Sequence, residues 1–162
     1  MSTDSEILET SRETPGAFAE LFERHARVIG AFAARRVGVD AAEDILSETF
    51  LVAFRRRADF DSTWASAKPW LLGIASRIIK KHHAQEAAQW RSVAASISRG
   101  EHTSDGAIDA AGGRADASAA VRALAPRIAA LAARDRETLL LYAWGDLTYE
   151  EIAVALGVPV GT

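Results

Sequence analysis

Residues 134–162 read RDRETLLLYAWGDLTYEEIAVALGVPVGT, and this stretch decides the fold. Arg134 to Trp144 reads as a helix, and Gly145 is placed to stop it. Thr148-Tyr149-Glu150-Glu151 has the spacing of a capping box, in which the first and fourth side chains satisfy each other's backbone N–H groups. It opens a short helix from Tyr149 to Leu156, with Ile152, Ala153 and Leu156 turned inward. Gly157-Val158-Pro159 then turns the chain toward a new helix, and Gly157 can take the positive φ that such a turn needs. A short helix, a glycine-containing turn and a new helix start make a helix-turn-helix signature, with Ala153 where two helices cross closely. A generic helical hairpin is the alternative reading.

Toward the N-terminus, Val121, Leu124, Ile128 and Leu131 carry a helical period broken by Pro126. Before them, Ser98 to Ser118 is rich in Gly, Ala, Ser and Asp and poor in large apolar residues. Such a segment cannot bury enough surface to repay its ordering, so it reads as a flexible linker. Farther back, Lys68-Pro69 opens a helix whose Leu71, Ile74, Ala75 and Ile78 face a core, with Arg77, Lys80 and Lys81 on the wetter side. Residues 58–68 lack a helical period and read as a loop. Asp40 to Glu43 has capping-box spacing and opens a helix that closes in Arg55-Arg56-Arg57, acids first and arginines last, as the helix dipole favours. Thr14-Pro15 opens the first helix, in which Phe18, Leu21, Phe22, Val28, Ile29 and Phe32 form one stripe with His25, and Gly38 ends it. The expected architecture is all-α: a domain over 14–97, a linker over 98–118 and a second domain over 119–162.

The composition narrows the function. The chain has 162 residues, 49% hydrophobic and 25% charged, which is an ordinary globular balance. Its apolar runs fall far short of the ~20 residues that span a bilayer, so no membrane insertion is expected, and the acidic N-terminus is no signal peptide. There is no cysteine, which excludes a disulfide framework and a thiolate metal site and fits a reducing cytoplasm. His82 and His83 are adjacent, point ~100° apart on a helix and make a poor metal pair. His25, on the apolar stripe, reads as a satisfied core histidine. No phosphate loop or nucleophile motif occurs, so no catalytic residue, metal or cofactor is expected.

The net charge of −3 conceals a polar distribution, with −5 over residues 1–54, +5 over 55–91 and −3 over 92–162. Within the basic stretch lie Phe60, Trp64 and Trp70, beside Arg55, Arg56, Arg57, Lys68, Arg77, Lys80 and Lys81. Aromatic faces stack unpaired bases at ~1–3 kcal/mol each while cations track phosphates, a combination suited to single-stranded or flipped nucleic acid. The plainer reading is a solvated helix face, with Trp64 and Trp70 covering a small core, a role that suits Trp70 better than Trp64.

The ordered segments DAAEDILSETFLVAFRR, PWLLGIASRIIKKH and RDRETLLLYAWGDLTYEEIAVALGVPVGT closely resemble the extracytoplasmic-function (ECF) group of bacterial RNA polymerase sigma factors. The likeness covers about 18–90 and 131–162. It implies a first domain that docks on core RNA polymerase and melts the promoter −10 element, and a second that reads the −35 element as duplex. Carried over by position, Glu43, Asp44, Glu48 and Leu51 match the polymerase-docking helix. Asp44 and Glu48 are also an i,i+4 like-charge pair that a basic partner would relieve. The loop Asp59–Lys68 matches the segment that captures a −10 base, with Arg55, Arg56, Phe60, Asp61, Trp64 and Lys68 in or beside it. Ser76, Arg77, Lys80 and Lys81 match the helix beneath. Many relatives carry Asn at the position of Arg77, so an altered base preference or a phosphate contact is implied there. In relatives the recognition helix starts near Val160 and continues, whereas here about one turn is expected, too short to hold itself. The −35 positions present are Thr148, Pro159, Gly161 and Thr162, an incomplete set. The resemblance also implies promoter DNA as a partner, and an anti-sigma factor as a further one. The rival reading is a protein-interaction module held mainly by an anti-sigma regulator without −35 recognition.

Overall fold

The computed structural model describes residues 2–82, 88, 91–93, 95 and 123–161. Among these the regular elements are helices: α1 (Asp4–Glu13), α2 (Phe18–Val37), α3 (Val39–Arg55), α4 (Lys68–Lys81), α5 (Ala133–Gly145) and α6 (Tyr149–Leu156), with short 3-10 turns at Pro15–Ala17 and Arg57–Asp59. Residues 123–130 are also helical. The linker expected over 98–118 lies outside the described residues.

Helices α2 and α3 are joined by Gly38 alone, whose φ of 87° reverses the chain without a Cβ clash. The expected stripe on α2 is buried at Phe18, Leu21, Ile29 and Phe32, against Ile45, Phe50 and Ala53 of α3. Phe18 and Phe54 meet edge-on at 5.2 Å between ring centres, and Phe22 and Phe50 at 4.8 Å, the geometry that aromatic quadrupoles favour. Two expected caps are absent. Thr14 makes no capping bond, because Pro15 begins a 3-10 turn and α2 proper starts at Phe18. Asp40 cannot cap, because a one-residue connection makes Val39 already helical and a cap must lie outside the helix.

The periodicity of the sequence places no element before Thr14, yet α1 forms there and packs on the core. Thr3 and Glu6 make a full capping box, with bonds of 3.2 and 2.8 Å. Ile7 and Leu8 are buried. Two adjacent apolar residues are too few to show a stripe, and polar anchors complete the docking. Asp4 is 5% exposed and accepts hydrogen bonds from Arg24 Nη1 at 3.0 Å and the Ala67 backbone N–H at 2.8 Å, with His25 Nε2 2.6 Å away. His25 is thus partnered on the edge of the core, in keeping with its place on the stripe.

Helices α5 and α6 pack on α4, and Leu141, Leu147, Ile152 and Ala155 join the same apolar core as α2–α4. Gly145 does not stop α5; Asp146 takes the left-handed conformation (φ 50°) one residue later. Gly145 instead gives room for Leu72, whose Cδ1 would be 3.1 Å from an added Cβ. The capping box at Thr148 and Glu151 and the left-handed Gly157 (φ 68°) are present as the sequence indicates.

Burial alone would raise the Asp4 pKa, but the hydrogen bonds from His25 and the Ala67 N–H, the charge of His25 and the Arg24 bond outweigh it and bring it from 3.8 to about 2. A depressed carboxylate contributes stability that is complete above its unfolded pKa and is lost as pH falls through the folded one. The shift corresponds to about 2 kcal/mol. Between about pH 5 and pH 2 the parent chain should therefore lose about 2 kcal/mol more stability than Asp4→Asn, read from urea midpoints at each pH. Parallel acid profiles would show that Asp4 is not held as an anion.

Candidate nucleic-acid interface

Helix α3 carries acids at its start and arginines at its end. Glu43 and Asp44 are exposed, and Leu51 is an exposed apolar residue on the same helix at 47%. Glu48 is half-buried and accepts from Lys81 Nζ at 3.0 Å. One residue expected to touch polymerase is thereby paired with one expected to touch DNA.

At the far end, Arg55 and Arg56 are exposed, and Arg56 Nε donates to Asp59 at 3.1 Å. Arg57 is spent inside the molecule: it donates to the carbonyls of Ser11 and Phe54, at 3.2 and 2.6 Å, and lies 4.2 Å from the Phe54 ring centre. The loop that follows has a buried stem and an exposed tip. Phe60 is buried and meets Trp70 edge-on at 5.3 Å. Trp64 is half-buried against the core, so its ring is not displayed as fully as the sequence suggests. Asp61, Ser62 and Thr63 form the exposed tip. Asp61 accepts from the Thr63 backbone N–H at 3.0 Å and hydroxyl at 2.8 Å, which hold its carboxyl below the usual carboxylate range.

On α4, Arg77, Lys80 and Lys81 are exposed, whereas Ser76 is 2% exposed and cannot meet DNA in this packing. Ser76 lies three residues after Gly73 and so shares its helix face. That face is covered by α6: a Cβ on Gly73 would overlap the Ala155 backbone oxygen and stand 2.9 Å from the Ala155 Cα. Lys68 is half-buried and donates to the Asp146 carbonyl at 3.0 Å, so it joins the two units. A buried ion pair does the same: Arg36 Nη1 and Nη2 reach the Glu137 carboxylate at 3.2 and 2.5 Å, with the two residues 1% and 3% exposed. No sequence signal marks Arg36, Gly73 or Glu137, because each has its partner far along the chain.

In the second unit Thr148 is occupied as a cap, its hydroxyl accepting from the Glu151 N–H at 3.3 Å. Pro159 and Gly161 are exposed after the turn, and Thr162 lies outside the described residues. Between α5 and α6 is a groove lined by Leu139, Tyr142, Tyr149 and Val160, with Tyr142 and Tyr149 stacked at 5.9 Å. Among the described residues no group of three His, Asp or Glu is placed to hold a metal ion, and no helix is long and apolar enough to cross a membrane.

Comparison with known proteins finds two matching family models. A family model described as "Sigma-70 region 2" matches residues 21–89, and one described as "Sigma-70, region 4" matches 122–162. The chain is 34% identical over 131 residues to the ECF RNA polymerase sigma factor SigC of Mycobacterium tuberculosis, and equally to a probable RNA polymerase sigma-C factor of Mycobacterium bovis. The match covers 81% of this chain and 66% of each relative. A solved structure of CnrH in complex with the cytosolic domain of CnrY superimposes with a TM-score of 0.58 at 19% identity, over 98% of this chain and 86% of that one. At that identity the likeness is one of fold.

Gly73 provides a direct test of the packing. In an open helix Gly→Ala is worth up to ~1 kcal/mol in favour of alanine. Here Gly73→Ala should instead cost ~1–3 kcal/mol, the usual penalty of overpacking, in a urea melt of the full chain. A gain in stability would show that α6 does not press on α4.

Proposed function

We propose a function on one premise: this chain belongs to the sigma-70 family of RNA polymerase sigma factors, in its extracytoplasmic-function group. It binds core RNA polymerase, directs it to a promoter and opens the −10 region. The polymerase performs the chemistry; this chain is a specificity subunit with no catalytic role, working in the cytoplasm where the polymerase works. The observation that carries the reading is that one small unit exposes both carboxylates on α3 and a polar loop tip together with several cations. Glu43 and Asp44, with Leu51 nearby on α3, offer carboxylates and an apolar contact to a basic protein surface. The tip Asp61–Thr63 is exposed, as are Arg55 and Arg56 at the end of α3 and Arg77 and Lys80 on α4, so the unit offers hydrogen-bonding groups to a base and cations to phosphates. The helix-turn-helix unit, residues 119–162, lies on the −35 side.

A second reading has one observation in its favour. Helix α6 covers the Ser76 face of α4, which supports a chain whose main partner in this arrangement is a regulatory protein. The similar fold of CnrH is seen in complex with the cytosolic domain of CnrY, and a regulatory protein partner for this chain is in keeping with that. Retardation of a forked −10 promoter fragment by the chain with core polymerase separates the two: a retarded ternary complex supports the first reading, and its absence alongside intact polymerase binding supports the second.

Asp44→Arg should weaken core polymerase binding roughly tenfold, ~1.4 kcal/mol, while circular dichroism stays native, because Asp44 is exposed and makes no core contact. Unchanged affinity would remove the acidic face from the interface. Arg77→Ala with Lys80→Ala should flatten the log–log salt dependence of DNA binding in the polymerase complex. The slope should fall by ~0.7–0.9 for each phosphate no longer neutralised. An unaltered slope would make these residues a solvated helix face.

A further inference from the structure

The loop that joins α3 to α4 has no ladder of its own, so its backbone polar groups need partners from elsewhere. Much of that supply comes from α1, which lies 46–63 residues away in sequence. The Ser5 hydroxyl points at two loop carbonyls, those of Trp64 at 2.7 Å and Ser62 at 3.3 Å, and shares its one proton chiefly with the nearer. The Asp4 carboxylate accepts from the Ala67 N–H at 2.8 Å. Arg12 Nη2 donates to the Ala58 carbonyl at 3.4 Å, and Arg57 Nε donates back to the Ser11 carbonyl at 3.2 Å. Both ends of the loop and its descending limb are thus tied to a single helix. The tip, closed by the Asp61–Thr63 bonds, faces outward and meets α1 only through the longer Ser5–Ser62 contact.

Asp4 fixes the brace itself. It is buried, and it reaches Arg24 and His25 of α2 as well as Ala67 at the start of α4, so one carboxylate locates α1, α2 and the loop's exit together. We propose that α1 is a positioning element for the Asp61–Thr63 tip, with Ser5 and Asp4 the residues that hold the loop in its base-capturing shape. This rests on the reading that the loop captures a −10 base. A loop already held loses less freedom on capture and presents one geometry to every base, so bracing raises both affinity and discrimination. Neither residue touches DNA in this role; they act through the loop backbone.

Two measurements on the full chain test it. The first is amide hydrogen exchange over residues 58–67 in the parent, Ser5→Ala, Ser5→Thr and Asp4→Asn. Ser5→Ala should speed exchange in this loop by roughly threefold to tenfold, the loss of about one hydrogen bond, with α2 and α3 unchanged, and Ser5→Thr should restore the parent rate. Asp4→Asn should speed exchange in the loop and also in α2 around Arg24 and His25, which share its carboxylate. Unchanged exchange overturns the brace, whatever happens with DNA. The second is binding of each variant, assembled with core polymerase, to forked −10 fragments differing at one base. The expected result is a fall of roughly threefold to tenfold in the preference between bases for Ser5→Ala, again about one hydrogen bond's worth, rescued by Ser5→Thr, with polymerase affinity unchanged. Faster exchange with full discrimination overturns the positioning role. A parent complex that shows no base preference overturns the functional reading and the positioning role with it, and the exchange data alone then decide the brace.

Discussion

Helix α4 must satisfy neighbours on two sides, and the rest of the molecule is arranged around that demand. Against α2 and α3 it presents ordinary apolar residues, among them Leu71, Ile74, Ala75 and Ile78. Against α6 it presents Gly73, and there the Ala155 backbone lies so close that a Cβ would overlap it. Nine of its fourteen residues are buried, which is why α4 lacks the wide polar face of a surface helix. Close approach of this kind has a steep repulsive wall, so it locates α6 within a narrow range. The unit that carries the helix-turn-helix is then seated by the Gly73 contact, by Lys68 and by Arg36 with Glu137.

The last of these is costly to build. A guanidinium and a carboxylate, both almost wholly out of water, lose hydration that their mutual bonds only repay when the geometry is good. The two N–H donors of Arg36 meeting both oxygens of Glu137 supply that geometry. Such a pair adds less to stability than to definition: losing one partner would strand a buried charge, so α5 can sit on α2 in few ways. Asp4 plays the same part at the other end of the chain, where a buried carboxylate with three partners sets α1 on the core although α1 brings little apolar surface of its own.

Charge shows how tertiary structure edits what a sequence offers. The +5 stretch over residues 55–91 looks like one cationic field when written in a line. In the fold, Arg57 turns in to the carbonyls of Phe54 and Ser11, Lys68 turns to Asp146, and Lys81 turns to Glu48. Exposed among the described residues of this stretch are Arg55, Arg56, Arg77, Lys80, Lys81 and Arg91, of which Arg56 is paired with Asp59 and Lys81 with Glu48. The aromatic content is edited likewise: Phe60 and Trp70 pair with each other in the stem, and Trp64 leans on the core.

The helical class, the stripes of α2, α3 and α4, the capping box at Thr148 and the turn at Gly157 were all legible in the sequence, because each is set by residues within about one or two helical turns of one another. The acidic start of α3 and the exposed cations of α4 were legible for the same reason. The helix at 4–13 carried one local mark, the Thr3–Glu6 capping-box spacing, but no apolar stripe; what docks it is Asp4 meeting Arg24, His25 and Ala67, and no local period announces a buried carboxylate. Equally illegible were the burial of Ser76, the use of Gly145 and Gly73 as space for a neighbour, and the union of Arg36 with Glu137 across 101 positions. Local order follows from spacing along the chain. Which polar group is spent inside and which is displayed depends on partners that only the folded chain brings together, because desolvation and packing act between surfaces and not between neighbours in sequence.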